Sequence, residues 1–390
     1  MARALALAVE VATTVMAVAG MGYFVAALIA ARLFVAERRR PLTAFAPGVS
    51  ILKSLKGVDP GMLDAFRSHC RQTYPGEFEL LFGVSSLDDP AAKAVLQLQD
   101  EFPERRIRLL ECPERLGTNG KVSVLVQLAR HARHGFLLVN DSDITVSERY
   151  LERVMGCFAR SNAPRAVGLV TTLYRGRAQD TLASRMEALG IATDFQAGVL
   201  LSKWIEAGLT YGLGSTLAVS REALGRIGGF ASLVNDLADD YELGARVTAA
   251  GYRVELAPEV VETAVPAYGW RGFVDHQLRW LRTVRDARPG GYAGLVFTHG
   301  LGWATLNLIA SGLSPVSLWL LALSFFLRLT LAMTVGAEVL GDRQVLPSLW
   351  LLPVRDAVAM VLWLAGFAGD TIVWRGERFR VKGGKLLRAE

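Results

Sequence analysis

At 390 residues the chain has room for one or two domains. With 52% hydrophobic residues and a mean hydropathy of +0.30 it is more apolar than an ordinary soluble protein. Its net charge of +6 comes without a base-reading motif or aromatic interleaving, which excludes nucleic-acid binding and points instead to anionic lipid surfaces. The first apolar run, residues 11–31, is 21 residues without a charge, matching the roughly 20 needed to cross a hydrocarbon core. Arg38-Arg39-Arg40 stands where a signal-peptide cleavage site would lie, so the run is read as a retained anchor.

From 47 to 288 the pattern changes to short apolar runs alternating with amphipathic stretches. Strands are expected at 49–52, 78–84, 107–110, 136–139, 167–172, 215–219 and 252–256, and helices at 61–71, 90–102, 121–133, 147–158 and 240–250. Such alternation implies an α/β domain, a mostly parallel sheet with helices on both faces and ligands beyond the carboxyl ends of the strands. Cys70, Cys112 and Cys157 fall here without close spacing, suiting neither zinc nor a disulfide framework but a reducing cytosol. Residues 191–211, apolar and including Trp204, read equally as core helix or as a lipid entrance.

Residues 289–327 are 39 in a row without Asp, Glu, Lys or Arg, enough for two crossings turned at Gly312-Leu313-Ser314-Pro315. The second would run to about Ala337 and carry Arg328. A third region, 345–374, is broken by Pro353-Val354-Arg355-Asp356. The 13 uncharged residues between Asp356 and Asp370 are short for a span, so a re-entrant or interfacial segment is expected. The tail from Arg375 to Glu390 is basic. Arginines on both flanks place the middle segment and the tail in the cytosol. The organisation expected is an anchor at 1–46, a cytosolic domain at 47–288, a membrane region at 289–374 and a basic tail at 375–390.

Four motifs carry candidate chemistry, and each has an ordinary structural reading. Asp88-Asp89-Pro90 follows the second strand, where a base or ribose would lie, but it is also a common helix start. Asp141-Ser142-Asp143 ends an apolar strand; D-x-D brings two hard oxygen ligands to one divalent cation, or forms a polar loop. Asp239-Asp240 opens a helix, as acids favour, or supplies a general base. His276-Gln277-Leu278-Arg279-Trp280 precedes the membrane region, either as a basic interfacial helix or with Arg279 facing diphosphate oxygens. No G-x-x-x-x-G-K-[ST], G-x-G-x-x-G, G-x-S-x-G or H-E-x-x-H is present.

Taken in order with the run Lys53-Ser54-Leu55-Lys56-Gly57-Val58-Asp59-Pro60, Asn119-Gly120-Lys121 and the tail Trp374-Arg375-Gly376-Glu377-Arg378-Phe379-Arg380, the chain resembles the membrane-embedded inverting ceramide glucosyltransferase family and its bacterial relatives that glycosylate hopanoids. The resemblance runs from Val49 to about Leu386. It implies a GT-A domain using a UDP-sugar and a divalent cation, Mg2+ or Mn2+, with a membrane lipid as acceptor: ceramide, a hopanoid or another lipid alcohol. On these positions Asp89, with Asp88 as the close alternative, would contact uridine, and Asn119 and Lys121 would belong to the donor site. Asp141 and Asp143 would hold the metal and Asp240 would be the catalytic base. Arg279 and Trp280 match the family's (Q/R)xxRW motif, in which His276 stands in place of Gln or Arg. A bacterial inner-membrane enzyme is expected; a processive polysaccharide synthase and a non-catalytic scaffold are the alternatives.

Overall fold

The computed structural model describes residues 1–39, 41, 43–159, 165–374 and 377–388; Arg40, Arg375, Gly376 and Glu390, used above as charge or motif positions, lie outside them. The chain divides into two compact units, and neither is continuous. One comprises 1–38, 178–205 and 265–381, the other 39–177, 206–264 and 382–390. The boundaries expected at 46, 288 and 374 are therefore redrawn. Residues 178–205 and 265–288 pack with the apolar helices, because the Gln196–Ile205 helix lies on Ala2–Arg38 and the Trp270–Ala287 helix lies on Leu352–Gly366.

In the sheet unit, β1 (Val49–Ser54), β2 (Phe78–Val84), β3 (Ile107–Glu111), β4 (Phe136–Val139), β5 (Val167–Arg177), β6 (Leu217–Ser220) and β7 (Arg253–Ala264) form one sheet in the order β3-β2-β1-β4-β6-β5-β7. The first four run parallel, with Ile51 opposite both Leu80 and Leu138, and β6 is antiparallel to β4 and β5. All seven expected strands are present; β5 and β7 are longer than expected. The β5–β7 pair continues through a register shift opposite Ala257–Glu259, so Pro258, which lacks an N–H, falls in an irregularity that a short strand estimate would stop at. Ile51, Leu80, Phe82, Leu138, Tyr150, Val170 and Ala218 belong to one buried core.

The helices that flank the sheet start where local chemistry allows. Asn119 accepts the Val122 N–H and opens Gly120–His131. Asp89 accepts the Ala91 N–H at 2.9 Å, with Pro90 at the start of Ala91–Glu101. The helix Asp239–Ala249 ends before Gly251, whose φ of +93° suits a residue without a side chain. At the far end, Lys385–Arg388 docks through the Leu386 N–H to the Asn235 carbonyl at 3.0 Å.

The other unit holds the apolar helices. The anchor read at 11–31 lies within a 37-residue helix, Ala2–Arg38. Among the described residues three helices are long and apolar enough to cross a membrane: Arg3–Arg38, Pro315–Val339 and Val345–Gly366. The turn at Gly312–Ser314 is where expected, with Gly312 and Leu313 at φ +64° and +65° and Ser314 capping the next helix. The broken element is not where expected, however. Pro289–Thr298 and Gly300–Ala310 form a pair bent by 56°, while Val345–Gly366, expected to be re-entrant or interfacial, is a 22-residue candidate span.

The correction has a physical cause. Pro353 sits in the first turn of Leu352–Gly366, where its missing N–H costs no helix bond. Its charged neighbours are neutralised within the unit: Arg355 meets Asp194 at 3.0 Å, and Asp356 accepts from Arg328 at 2.7 and 2.9 Å. Arg328 also donates to the Thr193 carbonyl, so this buried charge faces protein. Residues 191–211 do not form one element. They turn through Ile191–Phe195 and Gln196–Ile205 with Ala192, Ala197 and Leu200 buried, leaving Trp204 exposed. In the basic tail, Glu377–Lys382 pairs antiparallel with Thr371–Trp374.

Candidate active site

In the sheet unit, β4 ends by delivering Asn140–Asp143. Asn140 is buried and its side-chain amide donates to the Ser215 carbonyl at 2.6 Å and the Tyr150 hydroxyl at 3.0 Å, which anchors the loop's first residue. Lys121, in the first turn of Gly120–His131, places Nζ 2.8 Å from Asp141 Oδ1 and 3.4 Å from Asp239 Oδ2. Burial works against its charge, but the carboxylates of Asp141 and Asp239 outweigh burial and push its pKa upward. Asn119 ties the same two elements, donating to the Asp236 carbonyl at 2.8 Å. The asparagine and lysine of one helix start thus hold the acidic start of another.

Asp240 is the second residue of Asp239–Ala249 and is half-buried. A Cβ at Gly214 would lie 3.1 Å from Asp240 Oδ2 and 3.6 Å from Asp141 Oδ2, so the two carboxylates border one small space that glycine leaves open. Burial, and then the charge of Asp239, raise the Asp240 pKa to about 6, against the opposing pull of Lys121. A carboxylate poised near 6 can accept a proton at neutral pH more readily than an ordinary aspartate.

Asp143 is turned toward β7. Its Oδ2 accepts from Thr263 Oγ1 at 2.5 Å and from the Ala264 N–H at 2.9 Å. Burial raises its pKa, and the nearby Asp141 charge adds to this. Beneath the loop, the ammonium of Lys53, 1% exposed at the end of β1, donates to the Asp141 carbonyl at 3.0 Å. Burial lowers its pKa to about 7, against the raising effect of Asp143 and Asp141. Among the described residues no group of three or more His, Cys, Asp or Glu is placed to hold a metal. Asp141 and Asp143 offer hard oxygen donors on one short loop, the donor type that a divalent cation takes.

Asp89, expected at uridine, is held by backbone. Its two oxygens accept the Gly57 N–H at 3.0 and 3.1 Å, and Oδ1 also caps the following helix. Asp88 at the same strand end is exposed. In the other unit, His276 Nδ1 lies 3.1 Å from both Glu187 and the Tyr268 hydroxyl, and Gln277 donates to Glu187 at 3.3 Å. Glu187 is 3% exposed, so the histidine packs over a buried carboxylate. Its ring is 5.0 Å from that of Trp280, which also meets Phe195 at 6.2 Å; Arg279 is half-buried on the same helix.

The sheet unit thus brings Asn119, Lys121, Asp141 and Asp240 together, with Asp143 on the same loop and Asp88 and Asp89 at the end of β2. His276, Arg279 and Trp280 belong to the unit of apolar helices. Lys53, Asp59 and Glu187 carry no role in the sequence reading, and Asp239 enters it only as half of the Asp239-Asp240 pair. A lone lysine in the apolar run Val49–Ser54 was the available signal for the first. Nothing in the order of residues marks Glu187 as the partner of His276.

The description Glycosyl transferase family 21 matches residues 12–387. Ceramide glucosyltransferase 3 of Caenorhabditis elegans is 23% identical over 357 residues, covering 87% of this chain and 74% of the relative. An N-acetylglucosaminyltransferase of Sinorhizobium fredii is 24% identical over 306 residues, covering 74% of this chain and 69% of the relative. Among solved structures, a mannosyltransferase from Pyrobaculum calidifontis in complex with GDP-Man and Mn2+ aligns with a TM-score of 0.55 at 19% identity, over 92% of this chain and 97% of that one. This likeness shows a GT-A-like fold. The chain belongs to glycosyl transferase family 21 and is a glycosyltransferase with ceramide glucosyltransferases among its relatives and candidate membrane-spanning helices.

Proposed function

We propose that this chain moves a hexose, glucose or an N-acetylhexosamine, from a UDP-sugar to a hydroxyl of a membrane lipid such as ceramide or a hopanoid, with inversion, at the cytosolic face of a bacterial inner membrane. The observation that carries the reading is Asp240, half-buried and raised to about 6, sharing the space beside Gly214 with Asp141. The names of the relatives support a glucosyl or N-acetylglucosaminyl donor and a ceramide-type acceptor. The basic residues flanking the apolar helices support the orientation.

In this reading Asp240 takes the proton of the acceptor hydroxyl. The acceptor oxygen bonds to the anomeric carbon as the bond from that carbon to the diphosphate oxygen breaks on the opposite face. Asp141 and Asp143 would hold a divalent cation, which supplies charge neutralisation to the diphosphate when bound. Lys121 keeps Asp141 and Asp239 in place and lowers the charge density of three neighbouring acids. On the resemblance to the (Q/R)xxRW motif alone, Arg279 would donate to the departing diphosphate, with Trp280 and His276 on the same helix. Asp88 is the exposed candidate for uridine, and Asp89 shapes the loop beside it.

The test is to incubate purified protein with UDP-glucose, UDP-N-acetylglucosamine and UDP-galactose together with a bacterial membrane lipid extract, and to identify products by mass spectrometry. A glycolipid heavier than its acceptor by one hexosyl or N-acetylhexosaminyl group is the expected result. Oligosaccharide chains without lipid, or no transfer from any UDP-sugar, would refute the proposal.

A further inference from the structure

The run from Lys53 to Asp59 touches the candidate donor site at three points. The Lys53 ammonium donates to the Asp141 main-chain carbonyl at 3.0 Å. The Ser142 hydroxyl donates to Asp59. The Gly57 N–H donates to both oxygens of Asp89. One short segment, from the end of β1 to Asp59, therefore braces the loop after β4 and the loop after β2. Lys53 is the least expected member, since a lysine with 1% exposure at a strand end is rare without a strong reason. Its ammonium lies 5.8 Å from the Phe66 ring, and its hydrogen bond goes to the loop's main chain, not to a carboxylate.

That geometry separates Lys53 from an ion-pair role. A buried cation that only neutralised acid would lie against the Asp141 carboxylate, the place that Lys121 takes at 2.8 Å. Lys53 holds the backbone carbonyl instead. We propose that Lys53 is a positioning residue for donor binding: acting through the Asp141 main chain, it fixes the 140–143 loop so that the Asp141 carboxylate meets the nucleotide-sugar diphosphate. The inference rests on the UDP-sugar reading above.

The experiment compares the full-length wild type with Lys53→Met and Ser142→Ala by UDP titration calorimetry, by transfer kinetics and by melting temperature. Methionine fills the same space and removes a buried charge, so stability is expected to hold or rise. The expected result is UDP affinity about tenfold weaker and a donor KM raised by a similar factor, while kcat changes by less than about threefold. Ser142→Ala, which releases the Asp59 tie, shifts KM the same way by less. Unchanged UDP affinity in Lys53→Met overturns the inference, as does a loss that follows a lowered melting temperature. Should Lys53→Met fail to fold, an unchanged donor KM in Ser142→Ala overturns it. A wild type that binds UDP while the variants behave like it sinks this inference alone; a wild type that binds no UDP sinks the donor reading as well.

Discussion

The two units handle charge in opposite ways. Among the apolar helices, buried and half-buried charges come in matched pairs: Arg328 with Asp356, Arg355 with Asp194, Lys203 with Glu37. In the sheet unit, Asp141, Asp239 and Asp240 gather around one cation, Lys121, with Asp143 a residue away. A matched pair is complete, and breaking it mainly costs stability. An excess of like charge is incomplete and adds to what burial does to a pKa, as at Asp240; such excess marks a place built to receive a cation or a proton.

That contrast can be broken first at Asp240. Asp240→Asn keeps the shape and removes the proton acceptor, so transfer should fall about a thousandfold, in the middle of the range for a lost general base. UDP binding and melting temperature should stay near wild type. Next, Arg279→Ala should lower kcat about a hundredfold, the scale of losing one donor to a developing negative charge. An unchanged kcat would remove Arg279 from the chemistry.

The paired side of the comparison predicts a different phenotype. Arg328→Met leaves Asp356 buried without its partner and should destabilise the protein by about 3–5 kcal/mol, seen as a lower melting temperature and lower yield in detergent. The double variant Arg328→Met/Asp356→Leu should recover most of that loss. If it does not, the pair has a role beyond packing. Lys121→Met sharpens the comparison with a smaller effect: it removes the charge that lowers the Asp240 pKa, so the acid limb of the pH–rate profile should move above pH 6.

The sheet was largely legible because its strands are short apolar runs ending in polar or glycine-rich loops, and burial on both faces makes such runs distinct. The extent of β7 was not, because Pro258 reads as a stop unless the bulge that accommodates it is known. In the apolar helices, Arg355 and Asp356 read as an interruption because their partners, Asp194 and Arg328, lie far away in the chain. Pairing over such distances leaves no local trace. The acids of the site were visible as motifs, but their division of labour was not. Asp89 turned out to bind backbone, and Asp239 to share Lys121 with Asp141. Only the fold shows which oxygens are already occupied.

The central claim, that Asp240 is a base raised to about 6 by burial and then by its acidic neighbour, is tested most directly by the pH–rate profile of the wild type beside Asp239→Asn. Asp240 works deprotonated, so wild-type transfer should fall about tenfold per unit below pH 6. Removing the Asp239 charge lowers the Asp240 pKa, so the variant's acid limb should move to lower pH. An acid limb that stays where it is in the variant would contradict the account.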